Sequence, residues 1–162
     1  MIVGVIADTH IPTRAKELPE KLLKELRGVD LILHAGDFVE MEVLKTLEKI
    51  AKVEAVFGNM DEEGIKLKLP GRKIINVEEV KIGLVHGYDI TWDISKRVPN
   101  NFCKEEVNCV VYGHTHLARN EKIKGKLYFN PGSPTDQIFS TSNTFGILEI
   151  EGKKIKGKII EI

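Results

Sequence analysis

The 162-residue chain predicts an α/β domain in which two mixed β-sheets pack face to face with helices on their flanks. Three observations carry that expectation. Short β-branched runs at 2–7, 30–34 and 53–57 are separated by helical patterns at 19–27 and 41–50, the alternation of parallel strands joined by right-handed crossovers. From about residue 73 the texture changes to closely spaced strands, 73–77, 80–85, 109–112, 126–130, 144–150 and 153–161, joined by short Gly- or Asn-containing turns. Length and a 42% hydrophobic content suit one domain over 1–162 with a sizeable core.

Residues 2–7 read as a buried strand: the run is apolar, too short to span a bilayer, and meets Asp8 with no basic stretch before it. Pro19 at a helix start and Gly28 just past its end punctuate the first helix, and Val43, Leu44, Leu47 and Ile50 make one stripe on the second. The segments 61–72 and 87–101 are the longest polar connections and read as loops, the latter with a helical turn near 91–98. The strands from 73 onward read as a second, largely antiparallel sheet. In it Lys153-Lys154-Ile155-Lys156-Gly157-Lys158 alternates as an edge strand does, its lysines discouraging edge-to-edge pairing. Lys+Arg and Asp+Glu are equal at 24 each, so no net field draws the chain to membranes, and no nucleic-acid surface is evident. The partner this leaves is a small substrate, with the oligomeric state open. Cys103 and Cys109 are too few for a disulfide framework and read as reduced packing residues, which places the protein in the cytoplasm.

The chemistry collects at strand ends. Asp8 and His10 follow 2–7, Asp37 follows 30–34, Asn59 follows 53–57, His86 follows 80–85, and His114 and His116 follow 109–112. In open α/β sheets the carboxyl ends of strands form the ligand crevice, so residues far apart in sequence can converge there. Each fragment alone is bland: a lone Asp-x-His is usually a cap or a surface pair, and Asn59 after Gly58 reads as turn chemistry. Four of the five histidines, two aspartates and an asparagine aimed at one edge read instead as metal ligands. Gly36, Gly58, Gly87 and Gly113 adjoin them, where a sharp turn off the strand is easiest without a side chain.

In this order Asp8-Thr9-His10, Gly36-Asp37, Gly58-Asn59, His86-Gly87 and Gly113-His114-Thr115-His116 resemble the calcineurin-like metallophosphoesterase superfamily. His10-Ile11-Pro12 and Asn130-Pro131-Gly132-Ser133 extend the resemblance to its small bacterial and archaeal phosphodiesterases and their relative, the small retromer subunit. The resemblance implies two divalent metal ions, roughly 3.5–4 Å apart and bridged by an anionic group. Asp37 is the bridging carboxylate by motif; Asp8, His10 and His116 complete one metal site, and Asn59, His86 and His114 the other. Donors of O and N without thiolate suit manganese first, with nickel, cobalt, iron or zinc as alternatives. The implied activity is phosphoester hydrolysis by a metal-bridging hydroxide, with a phosphodiester favoured and Asp37, Asn59 and His114 nearest the chemistry. A phosphomonoesterase sharing the same site and a non-catalytic interaction scaffold are the alternatives.

One departure from the family pattern bears on mechanism. The superfamily has G-N-H-[DE] where this chain has Gly58-Asn59-Met60-Asp61, so the histidine that meets the leaving group or phosphate is replaced by a side chain that cannot donate a proton. Asp61 and His34 are the remaining candidates for that proton, with His34 equally readable as a buried hydrogen-bonded residue. Asn130-Pro131-Gly132-Ser133 reads as a tight turn; Arg14 and Tyr88 flank motif residues within reach of a substrate, but read first as ordinary solvated side chains.

Overall fold

The computed structural model describes residues 1–87, 102, 105–140 and 142–162. In chain order the elements are β1 (Ile2–Ile6), α1 (Glu20–Glu25), β2 (Leu31–His34), α2 (Met41–Glu48), β3 (Lys52–Ala55), α3 (Glu63–Lys66), β4 (Arg72–Val77), β5 (Val80–Val85), β6 (Cys109–Val111), β7 (Arg119–Ile123), β8 (Lys126–Asn130), β9 (Thr144–Glu151) and β10 (Lys154–Glu161). They form two five-stranded sheets, ordered β10-β9-β1-β2-β3 and β4-β5-β6-β8-β7.

Alternation along the strands sorts the core into layers. Val3 and Val5 of β1 and Leu31 and Leu33 of β2 face the other sheet, where they meet Ile75, Val80, Ile82, Leu84, Val111, Leu127 and Phe129. Ile6 and Ile32 face the opposite way and are covered by Leu22 of α1, Leu26 just past it, and Val43, Leu44 and Leu47 of α2. The helix stripe predicted from sequence is the stripe that packs. A third cluster, Val85, Phe102, Val107, Val110, Tyr112 and Tyr128, covers the outer face of the second sheet. Phe129 is the inter-sheet wedge: Gly146 of β9 and Gly157 of β10 leave it room, since a Cβ at either would lie 2.3 or 2.6 Å from its ring.

The structure corrects four expectations. The second sheet is mixed rather than largely antiparallel, because β5, β6 and β8 run parallel and only its two outer pairs are antiparallel. The strands at 144–151 and 154–161 belong to the first sheet, where β9 pairs antiparallel with β1. Alternation tells which face of a strand is buried and not which strand lies beside it. β7 escaped the sequence analysis because Arg-Asn-Glu-Lys-Ile is polar on both faces, as an edge strand allows, and α3 because four residues leave no period to read. β10 is at the sheet edge as its lysines predict. The helical turn near 91–98, Tyr88 and Cys103 lie outside the described residues. Cys109 is fully buried and free. Among the described residues no helix is long and apolar enough to cross a membrane.

The wedge yields a stability test. Gly146→Ala places a Cβ 2.3 Å from the Phe129 ring and is expected to cost about 1–3 kcal/mol by overpacking. Gly28→Ala meets nothing within 4 Å and is expected to stay within about 0.5 kcal/mol of the parent. Urea unfolding of the two variants checks the contrast.

Candidate metal centre

All seven candidate ligands are brought to the carboxyl edges of the two sheets, where the loops after β1, β2, β3, β5 and β6 meet. Asp8, His10 and His116 offer ligand atoms within 4.8 Å of one another, and so do Asp37, His86 and His114. Asn59 joins the second group, with its Oδ1 3.1 Å from His86 Nε2. Asp8 Oδ1 lies 3.7 Å from His116 Nε2, and His10 Nε2 is 3.1 Å from His116 Nε2.

The backbone is bent to produce this. Asp8, His10, Asp37, His114 and His116 all have positive φ, between 42° and 70°, a conformation that side-chain-bearing residues avoid unless the surroundings impose it. Gly36 and Gly58 let the two turns interlock: a Cβ at Gly36 would lie 2.7 Å from the Gly58 nitrogen, and one at Gly58 would lie 2.1 Å from Asp37 Oδ1. The Met60 amide then donates to Asp37 Oδ1 at 2.8 Å, and the His114 amide donates to Asp8 Oδ2 at 2.9 Å.

Hydrogen bonds behind the ligands fix which ring nitrogen faces the site. His86 Nδ1 donates to the Ala35 carbonyl at 2.8 Å and His116 Nδ1 donates to Asp136 Oδ2 at 2.8 Å, so both Nε2 atoms point at the other ligands. Burial pulls the His86 imidazole down, but its hydrogen bond to Asp37 and the charges of Asp8 and Asp37 outweigh it and raise the group to about 9. Burial pushes the Asp8 carboxyl up to about 6, with Asp37 adding to the push against the opposing pull of His86 and His116. Burial works against ionised Asp37 too, yet the His86 hydrogen bond holds it below the ordinary carboxylate value. Burial lowers His10 to about 4 and lowers His114 as well, so both are neutral donors at pH 7. Carboxylate oxygens and imidazole nitrogens converging in two groups are the donor set a pair of divalent cations needs, and the residues fit that group.

The supporting residues were mostly invisible in sequence. Asp136 holds His116 and also accepts the amides of Ile138 and Phe139 at 3.0 and 2.9 Å; nothing in its local sequence marks it. Asp61 accepts amides from Asp37, Val39 and Gly58 at 3.0, 2.7 and 2.7 Å, so its carboxylate is engaged in clamping the two turns rather than facing a substrate. His34 is fully buried, accepts the Gly36 amide at Nδ1 (3.2 Å) and reaches Thr9 Oγ1 from Nε2 (3.3 Å), so it ties the β1 loop to the β2 loop. Burial lowers it to about 3, which keeps it neutral. Asn130-Pro131-Gly132-Ser133 is more than a turn. Asn130 caps it through the Gly132 amide and also donates to the Gly113 carbonyl at 3.0 Å, while Ser133 Oγ donates to the Asp8 carbonyl at 2.7 Å. Arg14 is half-buried and stacks on Phe139, which departs from the solvated reading.

Against known proteins, residues 1–153 match the family model described as the calcineurin-like phosphoesterase superfamily domain. The chain belongs to that superfamily. A probable metallophosphoesterase of Methanothermobacter thermautotrophicus is 35% identical over 160 residues, 99% of this chain and 92% of the relative. Among solved structures, an archaeal phosphodiesterase superposes with a TM-score of 0.76 at 26% identity over 99% of this chain and 100% of its own. Vps29 of Entamoeba histolytica, in a structure with zinc, superposes with a TM-score of 0.78 at 25% identity over 99% of each chain. As a metallophosphoesterase the chain is a phosphoester hydrolase of a family that implies divalent metals, and its structure holds two potential metal-binding groups.

The link between Asp136 and His116 predicts that Asp136→Ala weakens binding of one manganese equivalent about 10–100-fold, as loss of a ligand's hydrogen-bond partner does elsewhere. Asp136→Asn keeps an acceptor without the charge and is expected to fall between. Calorimetric titration of chelator-stripped protein measures both, and parent-like affinity in the Ala variant would refute the link.

Proposed function

We propose that the chain is a phosphodiesterase that works with two divalent cations, manganese first among them. One observation carries the reading. Asp37 Oδ2 stands 3.7 Å from His10 Nε2 and 3.1 Å from His86 Nε2, so a single carboxylate faces both ligand groups. When bound, the cations supply Lewis-acid charge for the phosphoryl oxygens and acidify water enough for it to attack phosphorus near neutral pH. The chain's own part is to hold and orient. Asp37 offsets repulsion between the two charges. Asp8, His10 and His116 hold one of them, and Asn59, His86 and His114 the other. Asn59 is exposed and His114 half-buried, unlike the other five ligands, which suits them to contact the substrate phosphate.

Preference for a diester with a good leaving group is supported by what surrounds the leaving side. Met60 is 55% exposed and carries no proton to give. Asp61 and His34 are buried and their polar atoms are taken up by the loops they tie. The archaeal phosphodiesterase, similar over its full length, supports the same class, and the zinc-containing Vps29 supports a transition metal. The scaffold reading is disfavoured by strain, since five residues held at positive φ cost about 1–3 kcal/mol each and a pure interaction surface has no use for them. A monoesterase would use the same ligands, and a substrate panel separates the two. A cytoplasmic setting is part of this proposal, supported by two cysteines, too few for a disulfide framework.

Chelator-stripped protein is expected to lose hydrolysis of bis(p-nitrophenyl) phosphate, and manganese to restore it better than calcium, whose larger shell suits oxygen donors only. Full turnover by metal-free protein would refute the mechanism. Asp37→Asn is expected to lower the rate by more than about a hundredfold and to lose both metals, whereas Asn59→Ala loses one. Metal content by elemental analysis alongside the rate tests that order.

With no histidine at position 60, the rate is expected to fall steeply as the leaving group becomes more basic, and Met60→His to flatten the slope. A series of phosphodiesters of graded leaving-group basicity measures it. A flat profile in the parent, with chemistry rate-limiting, would mean that another group supplies the proton.

A further inference from the structure

We propose that Arg14 and Phe139 form a recognition platform for a planar ring carried on one ester arm of the substrate, making aryl and nucleoside phosphodiesters the substrate class of this centre. The inference rests on the phosphodiesterase reading above and adds what the ester carries.

Phe139 is 62% exposed, an unusual place for a large apolar ring, yet it is held in position. Its amide donates to Asp136 Oδ2 at 2.9 Å, and the same oxygen accepts His116 Nδ1–H at 2.8 Å. The Phe139 ring centre is 5.6 Å from that of His116, in a T-shaped contact. Arg14 meets the same ring: its amide donates to the His10 carbonyl at 2.7 Å, and its guanidinium carbon lies 5.3 Å from the Phe139 ring centre. Arg14 is therefore one hydrogen bond from His10, and Phe139 is two from His116 by way of Asp136, both histidines of the same ligand group.

Arg14 has no carboxylate partner among the described residues, although the chain carries as many acidic as basic side chains. A guanidinium left unpaired beside a centre that takes phosphate is matched to a non-bridging phosphoryl oxygen, and a ring stacked against it offers a π-face to a second ring. Ile138 and Leu117, neighbours in sequence of Phe139 and His116, are exposed as well. A small alkyl ester would leave all of it in water. In the reaction a water oxygen bonds to phosphorus while the bond to the leaving alcohol breaks. That alcohol departs with the electron pair, the water gives up its proton to solvent, and the ring-bearing monoester stays against the platform.

Two substrates with a common leaving group isolate the platform: the p-nitrophenyl ester of thymidine 5′-monophosphate and methyl p-nitrophenyl phosphate, each assayed on the manganese-loaded full chain. The parent is expected to prefer the thymidine ester in kcat/KM. Phe139→Ala is expected to cut that preference about tenfold, chiefly through KM, and Phe139→Trp to retain it. Arg14→Gln is expected to raise KM for both esters. No preference in the parent, or an equal fall for both esters in Phe139→Ala, would overturn the proposal, the latter because Phe139 would then act only through Asp136. Equilibrium dialysis of thymidine 5′-monophosphate against the manganese-loaded parent and Phe139→Ala gives a readout free of turnover, with about tenfold weaker binding expected in the variant. If the parent cleaves neither ester, the diesterase reading fails by itself. The dialysis then decides the platform, and equal affinities reject it.

Discussion

Two buried carboxylates, Asp8 and Asp37, standing among four imidazoles at the rim of the inter-sheet core, are the constraint on which the rest of the structure depends. Taking a carboxylate out of water is costly unless charge or hydrogen bonds replace the lost hydration, and here two are taken out together. The strain shows in Asp8, whose carboxyl is driven to about 6 by burial and by its neighbour Asp37. Part of the compensation is built in, through the amides of Met60 and His114 and the contact of His86 Nε2 with Asp37 Oδ2 at 3.1 Å. Divalent cations are the partners that would complete it, which links the family's metal chemistry to the stability of this particular rim.

Holding such groups in place falls to buried side chains bonded to the backbone of the ligand loops. Asp61 clamps the β2 and β3 loops through three amides, His34 joins the β1 and β2 loops, and Asn130 with Ser133 joins the β6 loop to the β1 loop. Each uses a buried polar side chain to satisfy backbone groups that a positive-φ turn would leave unpaired. The ligand loops are thus tied into one hydrogen-bonded chain, and Asp136 extends it outward to the rim where Phe139 and Arg14 lie.

Met60 shows how the same scaffold can carry different chemistry. Its amide performs the structural task of holding Asp37, which any non-proline residue can do, while its side chain is exposed and takes no part in that bond. The same division holds at Phe139, whose backbone is tied to Asp136 while its ring is largely exposed.

The sequence by itself determined the family, the seven candidate ligands and the parallel β1-β2-β3 half, because each ligand directly follows a strand whose apolar run is readable and each sits in a short motif of fixed spacing. It also marked Lys153–Lys158 as an edge, since lysine alternation is a local signal. Only the tertiary structure decided that β9 and β10 close the first sheet, that β5, β6 and β8 run parallel, and that polar β7 is a strand at all, because pairing partners are chosen by long-range burial that local alternation does not encode. Likewise His34 and Asp61 were visible as polar residues near motifs, but whether they reach the substrate or serve the backbone depends on which loops come within 3 Å of them. Asp136, in a loop with no motif of its own, becomes part of the centre because folding carries it across 20 residues of chain to His116.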